Sequence, residues 1–204
     1  MIAKSSPIKK VAISTGGGDA PGLNAVIRAA VLAGIQRGWE MYGIRDGFNG
    51  LMMPEQYLEG GIVKLTRDRV RGITHLGGTI IGTTNRGNPF NYPVKNLDGS
   101  YTEIDRSDEL MRSFYMHEID ALISVGGDGS MSIANLLAQK GMRVVGVPKT
   151  IDNDLHFVGR SFGFETAVAE ATQIIQAAHT EAKGTFTGIG LVKLMGREAG
   201  FIAT

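Results

Sequence analysis

Ile119-Asp120-Ala121-Leu122-Ile123-Ser124-Val125 runs directly into Gly126-Gly127-Asp128-Gly129-Ser130. The first seven residues are a continuous apolar run, which predicts a buried strand. Ser130 suits a helix N-cap, and the pattern beyond it predicts a helix from there to about Gln139. A buried strand that ends in a glycine loop and turns into a helix is how open α/β sheets place their ligand sites.

Working outward, the same sequence of events recurs. Lys9 to Thr15 predicts a strand that ends in the loop Gly16-Gly17-Gly18-Asp19-Ala20-Pro21-Gly22. Leu23, Val26, Ile27, Ala30 and Gly34 then follow at helical spacing, with Gly38 as the stop. Met41 to Ile44 predicts a short strand, Met142 to Val147 a buried one, and Ile189 to Met195 another. Between the last two, Phe164, Ala167, Val168, Ala171, Ile175 and Ala178 mark one face of a long helix. Arg45 to Gly61 is punctuated by glycines and is left open, and Asn85 to Asp108 is expected to be an irregular excursion. Strands alternating with helices predict an α/β fold, a mainly parallel Rossmann-like sheet with helices on both faces.

Composition narrows the function classes. The chain has 204 residues, 43% of them hydrophobic and 7% aromatic, which suits an aliphatic core. Its 21 basic and 20 acidic residues give a net charge of +1, so no global field points to nucleic acid or membrane. With no cysteine there is neither a disulfide nor a thiolate metal site. No stretch approaches the roughly 18 apolar residues of a membrane span. Met1 to Lys10 lacks the apolar core of a signal peptide, so a cytoplasmic protein is expected. The 29 glycines gather mostly at the ends of apolar runs, where tight turns and close approach to ligands are made. From Glu198 to Thr204 the chain resembles the first turns of a helix with no stop signal, and it reads as cut short.

Several residues carry chemistry. Glycines in the first loop allow backbone N–H groups to face an anion at a helix N-terminus, although a plain strand-to-helix turn would use them too. That loop is neither a Walker A sequence nor a GxGxxG fingerprint. In the second loop, Asp128 suits Mg²⁺ bridging phosphate oxygens, and Gly127 and Gly129 leave room for the phosphates. Pro148-Lys149-Thr150-Ile151-Asp152-Asn153-Asp154 follows the next strand. In an extended segment Asp152 and Asp154 would share a side, offering a carboxylate to a hydroxyl that attacks a phosphoryl group. Arg86 and Arg197 sit in loops, where a guanidinium fork pairs with phosphate, or else they are ordinary surface arginines. The four histidines show no metal-ligand spacing and are assigned no role.

Taken in order, Gly17 to Gly22 (GGDAPG), Gly126 to Ser130 (GGDGS), Pro148 to Asp154 (PKTIDND) and Met195-Gly196-Arg197 (MGR) resemble the phosphofructokinase family. GGDG is shared with other kinases; TIDND and MGR in this order are more specific. The resemblance extends from about Val11 onward. It implies phosphoryl transfer to the 1-hydroxyl of fructose 6-phosphate, with Mg²⁺ and a phosphoryl donor. It makes residues 1–150 a nucleotide-binding domain and 151–204 the beginning of a similar, substrate-binding domain. By position it implies Asp152 as the catalytic base, with Asp154 and Lys149 beside it. Gly18, Arg86, Gly87, Gly127, Asp128, Gly129 and Ser130 fall to the donor site, with Asp128 also to the metal. Thr150, Ile151, Asp152, Met195, Gly196 and Arg197 fall to the sugar phosphate.

The donor is decided at Gly129. Pyrophosphate-using members of the family typically carry Asp there and Lys at the position of Lys149. Glycine leaves open the space that the α-phosphate of a nucleotide needs, so ATP is expected. A pyrophosphate-dependent enzyme is the alternative, and a non-catalytic nucleotide-binding subunit is the alternative of another class. Asp128 and Asp152 argue against the last. In bacterial allosteric members an arginine precedes MGR, where this chain has about Gly188, so their mode of control is not expected. A homo-oligomer, dimer or tetramer, is expected of the full-length form.

Overall fold

The computed structural model describes residues 7–204. Met1 to Ser6, part of the segment read above as lacking a signal-peptide core, lie outside the described residues. In chain order the elements are β1 (Lys10–Thr15), α1 (Leu23–Gln36), β2 (Glu40–Ile44), α2 (Asn49–Met52), β3 (Ile62–Lys64), β4 (Tyr92–Lys95), β5 (Tyr101–Ile104), α3 (Ser107–Met116), β6 (Ala121–Gly126), α4 (Asp128–Gln139), β7 (Val144–Pro148) and α5 (Phe164–Lys183). A single 3₁₀ turn spans Pro54–Gln56.

Five strands form one sheet in the order β3-β2-β1-β6-β7. All neighbours run parallel except β3, which pairs antiparallel with β2. Strand alternation divides the core into two layers. Val11 and Ile13 of β1 pack with Leu23, Ile27 and Val31 of α1 on one face. Ala12 of β1 and Leu122 of β6 pack on the other with Leu110 and Phe114 of α3 and Leu137 of α4. Helices therefore cover both faces, as the alternation of strands and helices predicts.

From β1 the chain moves through α1 to β2 on one side, and from β6 through α4 to β7 on the other. The direction of winding reverses between β1 and β6, and the loops at the C-terminal ends of these strands border a crevice there.

Several expectations need correcting. Asn85 to Asp108 is not wholly irregular: β4 and β5 form an antiparallel hairpin within it, with Tyr92 opposite Ile104. Helix α3, passed over in the sequence, begins at Ser107, whose amide donates to Asp105 Oδ1 at 2.7 Å. Helix α4 starts at Asp128 with Gly127 as its cap residue, so Ser130 lies inside the first turn and does not cap it.

Ile189 to Met195 forms no strand. Ile189 and Leu191 stay exposed, and Gly188 and Gly190 lie against the backbone of α5, where an added Cβ on Gly190 would come within 2.9 Å of the Ala178 carbonyl. A strand is stabilised by a partner strand, and this segment has helix beside it instead. Glu198 to Thr204 makes isolated turns, with Ala199 N–H donating to Gly196 O and Ala203 N–H to Gly200 O, rather than a helix.

Candidate functional site

An open cleft of about 520 Å³ lies over the reversal point between β1 and β6. Three loops that leave β1, β6 and β7 meet there, because parallel strands deliver their C-terminal ends to one side of a sheet.

The glycine loop after β1 is fixed by backbone pairing. Gly16 N–H donates to Val125 O and Gly17 N–H to Thr84 O, both at 2.8 Å. Thr83 Oγ1 donates to Gly17 O at 2.7 Å. The two glycine loops touch through Ser130, whose Oγ would sit 2.6 Å from a Cβ on Gly16 and clash with one on Gly126. Glycine is required at Gly126, where Ser130 Cβ would also clash, whereas at Gly16 only the Ser130 hydroxyl would have to turn aside. Gly129 is different, with no atom within 4 Å of an added Cβ. The space beside it belongs to the open cleft.

Strand β7 delivers Lys149 between these loops. Its amide donates to Gly126 O at 2.8 Å, and its ammonium donates to the Gly18 carbonyl. Only 4% of Lys149 is exposed. Burial pushes its ammonium below the ordinary lysine value, and the carboxylates of Asp19 and Asp152 pull it partly back.

Asp152 is 6% exposed and lines the cleft. Its Oδ2 accepts from Arg197 Nε at 3.0 Å, and its amide donates to Thr150 Oγ1 at 3.1 Å. That pairing raises the Arg197 guanidinium above its ordinary value. Asn153 has φ 54°, in the left-handed region. The segment is therefore not extended, and the expected alternation of Asp152 and Asp154 fails. Asp154 is exposed and outside the cleft lining, though its charge still acts on Arg197.

The cleft brings together Gly18, Arg86, Gly87, Gly127, Asp128, Gly129, Ser130, Lys149, Thr150, Ile151, Asp152, Met195, Gly196 and Arg197. Every residue singled out from the sequence lines it except Asp154. It also includes Asp19, Thr84, Asn85 and Asn88, which the sequence reading left without a role. Asp19 stood within the quoted GGGDAPG loop and the other three in the loop that carries Arg86 and Gly87. The signal that would have found them was membership of those loops.

Residues 10–204 match the family model described as Phosphofructokinase. The chain belongs to the phosphofructokinase family. It is 44% identical over 198 residues to the ATP-dependent 6-phosphofructokinase 2 of Clostridium perfringens, covering 97% of this chain and 52% of that protein. It is 43% identical over 196 residues to the pyrophosphate–fructose 6-phosphate 1-phosphotransferase of Streptomyces coelicolor, covering 95% of this chain and 52% of that protein. The phosphofructokinase structure from Saccharomyces cerevisiae superimposes with a TM-score of 0.73 at 28% identity, over 96% of this chain and 27% of that one. This phosphofructokinase chain thus spans about half the length of the curated relatives it matches. Among the described residues no helix is long and apolar enough to cross a membrane.

Proposed function

We propose that the full-length protein is a 6-phosphofructokinase that transfers the γ-phosphoryl group of ATP to the 1-hydroxyl of fructose 6-phosphate, giving fructose 1,6-bisphosphate. One observation carries the reading: Asp152 shares one cleft with the glycine-lined N-terminus of α4. A buried carboxylate beside an anion-accepting helix end is what in-line transfer to a hydroxyl requires.

The donor phosphates lie along Gly127 to Ser130, where the helix N-terminus and glycine backbone favour negative charge. Asp128 would hold Mg²⁺ beside the donor phosphates. The donor set fits that ion, which keeps several waters and takes one or two carboxylates plus substrate phosphates. Among the described residues no group of three or more acids and histidines forms a metal cage. Bound there, Mg²⁺ supplies charge neutralisation on the transferring group.

Arg197 holds Asp152 through Oδ2, and the remaining oxygen accepts the proton of the 1-hydroxyl as that oxygen attacks phosphorus. Lys149 and Arg86 offset charge on the phosphoryl group. Thr150, Ile151, Met195 and Gly196 border the sugar-phosphate side. ATP is favoured over pyrophosphate by the open space beside Gly129. The protein acts in the cytoplasm on small molecules and as a homo-oligomer.

The test is product formation by full-length protein with fructose 6-phosphate, Mg²⁺ and either donor. Fructose 1,6-bisphosphate made with ATP supports the reading. Turnover with pyrophosphate alone overturns the donor assignment, and no product with either donor overturns the function.

A further inference from the structure

The segment Ser161-Phe162-Gly163 takes no part in the cleft, yet it touches both loops that the chemistry must align. Ser161 is 2% exposed. Its Oγ donates to the Thr150 carbonyl at 2.6 Å, and its amide donates to Asn153 Oδ1 at 2.9 Å. Thr150 in turn accepts the Asp152 amide on its hydroxyl. The two residues flanking the Ile151–Asp152 pair are thus both held by one serine. Asn153 accepts that bond from its left-handed conformation, the same turn that separates Asp152 from Asp154.

The neighbours of Ser161 fasten the other loop. Phe162 bridges to Lys149 as in a parallel ladder. Its ring lies beneath Gly22, where an added Cβ would come within 3.1 Å of Phe162 Cδ2. Gly163 meets the Pro21 carbonyl as closely, with 3.1 Å to an added Cβ. Ser161 to Gly163 is therefore wedged between the Lys149–Asp154 loop and the end of the Gly16–Gly22 loop.

We propose that Ser161 is a positioning residue for phosphoryl transfer, setting the distance and angle of the Asp152 carboxylate relative to the donor phosphates. It touches neither substrate nor reacting atom. Its single hydroxyl proton goes to the Thr150 carbonyl at 2.6 Å, with Asn153 Oδ1 farther off at 3.3 Å, so removing it takes a donor from a buried acceptor and frees the loop to shift. Displacement of a catalytic group by about 1 Å is enough to cost on the order of 10²-fold in rate. The proposal rests on the phosphofructokinase reading for its kinetic consequence, but not for its structural one.

The experiment compares wild type, Ser161→Ala and the hydroxyl-keeping Ser161→Thr in the full-length protein, by kinetics and by amide hydrogen exchange. In Ser161→Ala, kcat with ATP and fructose 6-phosphate is expected to fall by about 10- to 100-fold, with KM for ATP within about twofold. Amides of residues 150–154 should exchange at least ~10-fold faster, with β1 and β6 unchanged. Ser161→Thr should restore both. Unchanged exchange over 150–154 in Ser161→Ala overturns the proposal whatever the substrate is. So does faster exchange with wild-type kcat, or a loss of rate that Ser161→Thr reproduces. A wild-type protein inactive on fructose 6-phosphate instead overturns the functional reading, and the exchange comparison still decides whether Ser161 holds the loop.

Discussion

Helices α1 and α5 carry apolar residues at the same spacing, and only α1 buries them. Leu23, Ile27 and Val31 are all buried against β1, β2 and β6. On α5 only Ala171 is buried, while Ile174 and Ile175 are 53% and 45% exposed. Opposite α1 stands a sheet. After Pro148 the described residues form no further strand of that sheet, and most of the apolar face of α5 stays exposed. Periodicity specifies a helix, but what lies across from it specifies burial. The same contrast divides the cleft. On the proposed function, its donor side hangs from packed strands β1 and β6, whereas its acceptor side is held by a few hydrogen bonds through Ser161 and Arg197.

The contrast is broken most readily by paired core substitutions in the 204-residue chain. Ile27→Ala is expected to cost about 2–5 kcal/mol, because it empties a site enclosed by the sheet and α1. Ile175→Ala should stay within about 0.5 kcal/mol. Denaturant titration of both variants checks this, and equal losses would show that α5 is packed as firmly as α1.

A change on the donor side sharpens the comparison. Gly129→Asp adds a side chain into open space and an acid to the first turn of α4, which tolerates negative charge, so the fold should keep its stability. A nucleotide would meet both the bulk and the charge. We expect kcat/KM for ATP to drop on the order of 10²-fold, with any pyrophosphate activity reduced less. Steady-state kinetics with both donors reads the difference, and full ATP activity in the variant would remove Gly129 as the gate.

The smallest effect belongs to Tyr57, whose hydroxyl donates to Asp46 Oδ2 at 3.0 Å. Burial, then this bond to Asp46, push the phenol up to about 12. A raised tyrosine value means that the folded state holds its proton longer than the unfolded chain. Stability is then fully present below about pH 10 and declines as pH rises toward about 12. Tyr57→Phe should flatten that alkaline decline, as followed by thermal melts across the range. An unchanged slope would assign the decline to other groups.

These outcomes also show where sequence is informative. The positions of β1, α1 and β6 could be read from apolar runs because each is buried in the sheet or against it. Met142 to Val147 predicts a buried strand too, but β7 is an edge strand with Val145 63% exposed, because among the described residues no strand covers its outer side. Ile189 to Met195 has an equally apolar pattern, but Gly190 lies on α5 and no strand pairs with the segment. Helix α3 went unread even though Leu110 and Phe114 supply its buried face. The cleft was legible at the level of loops, since loops at the ends of parallel strands must converge. The orientation of Asp154 was not legible, because it depends on the single left-handed residue Asn153. Nor was Ser161, whose role arises from contacts with loops distant in sequence.

The central claim is that Asp152, at the meeting point of the packed donor side and the lightly held acceptor side, takes the hydroxyl proton. The most direct measurement is kcat of Asp152→Asn in the full-length protein with saturating ATP and fructose 6-phosphate. Asparagine keeps the shape and an oxygen for Arg197 but accepts no proton. The account predicts a loss of roughly 10²-fold or more in kcat, with modest change in KM for either substrate. A kcat close to that of the wild type would contradict it.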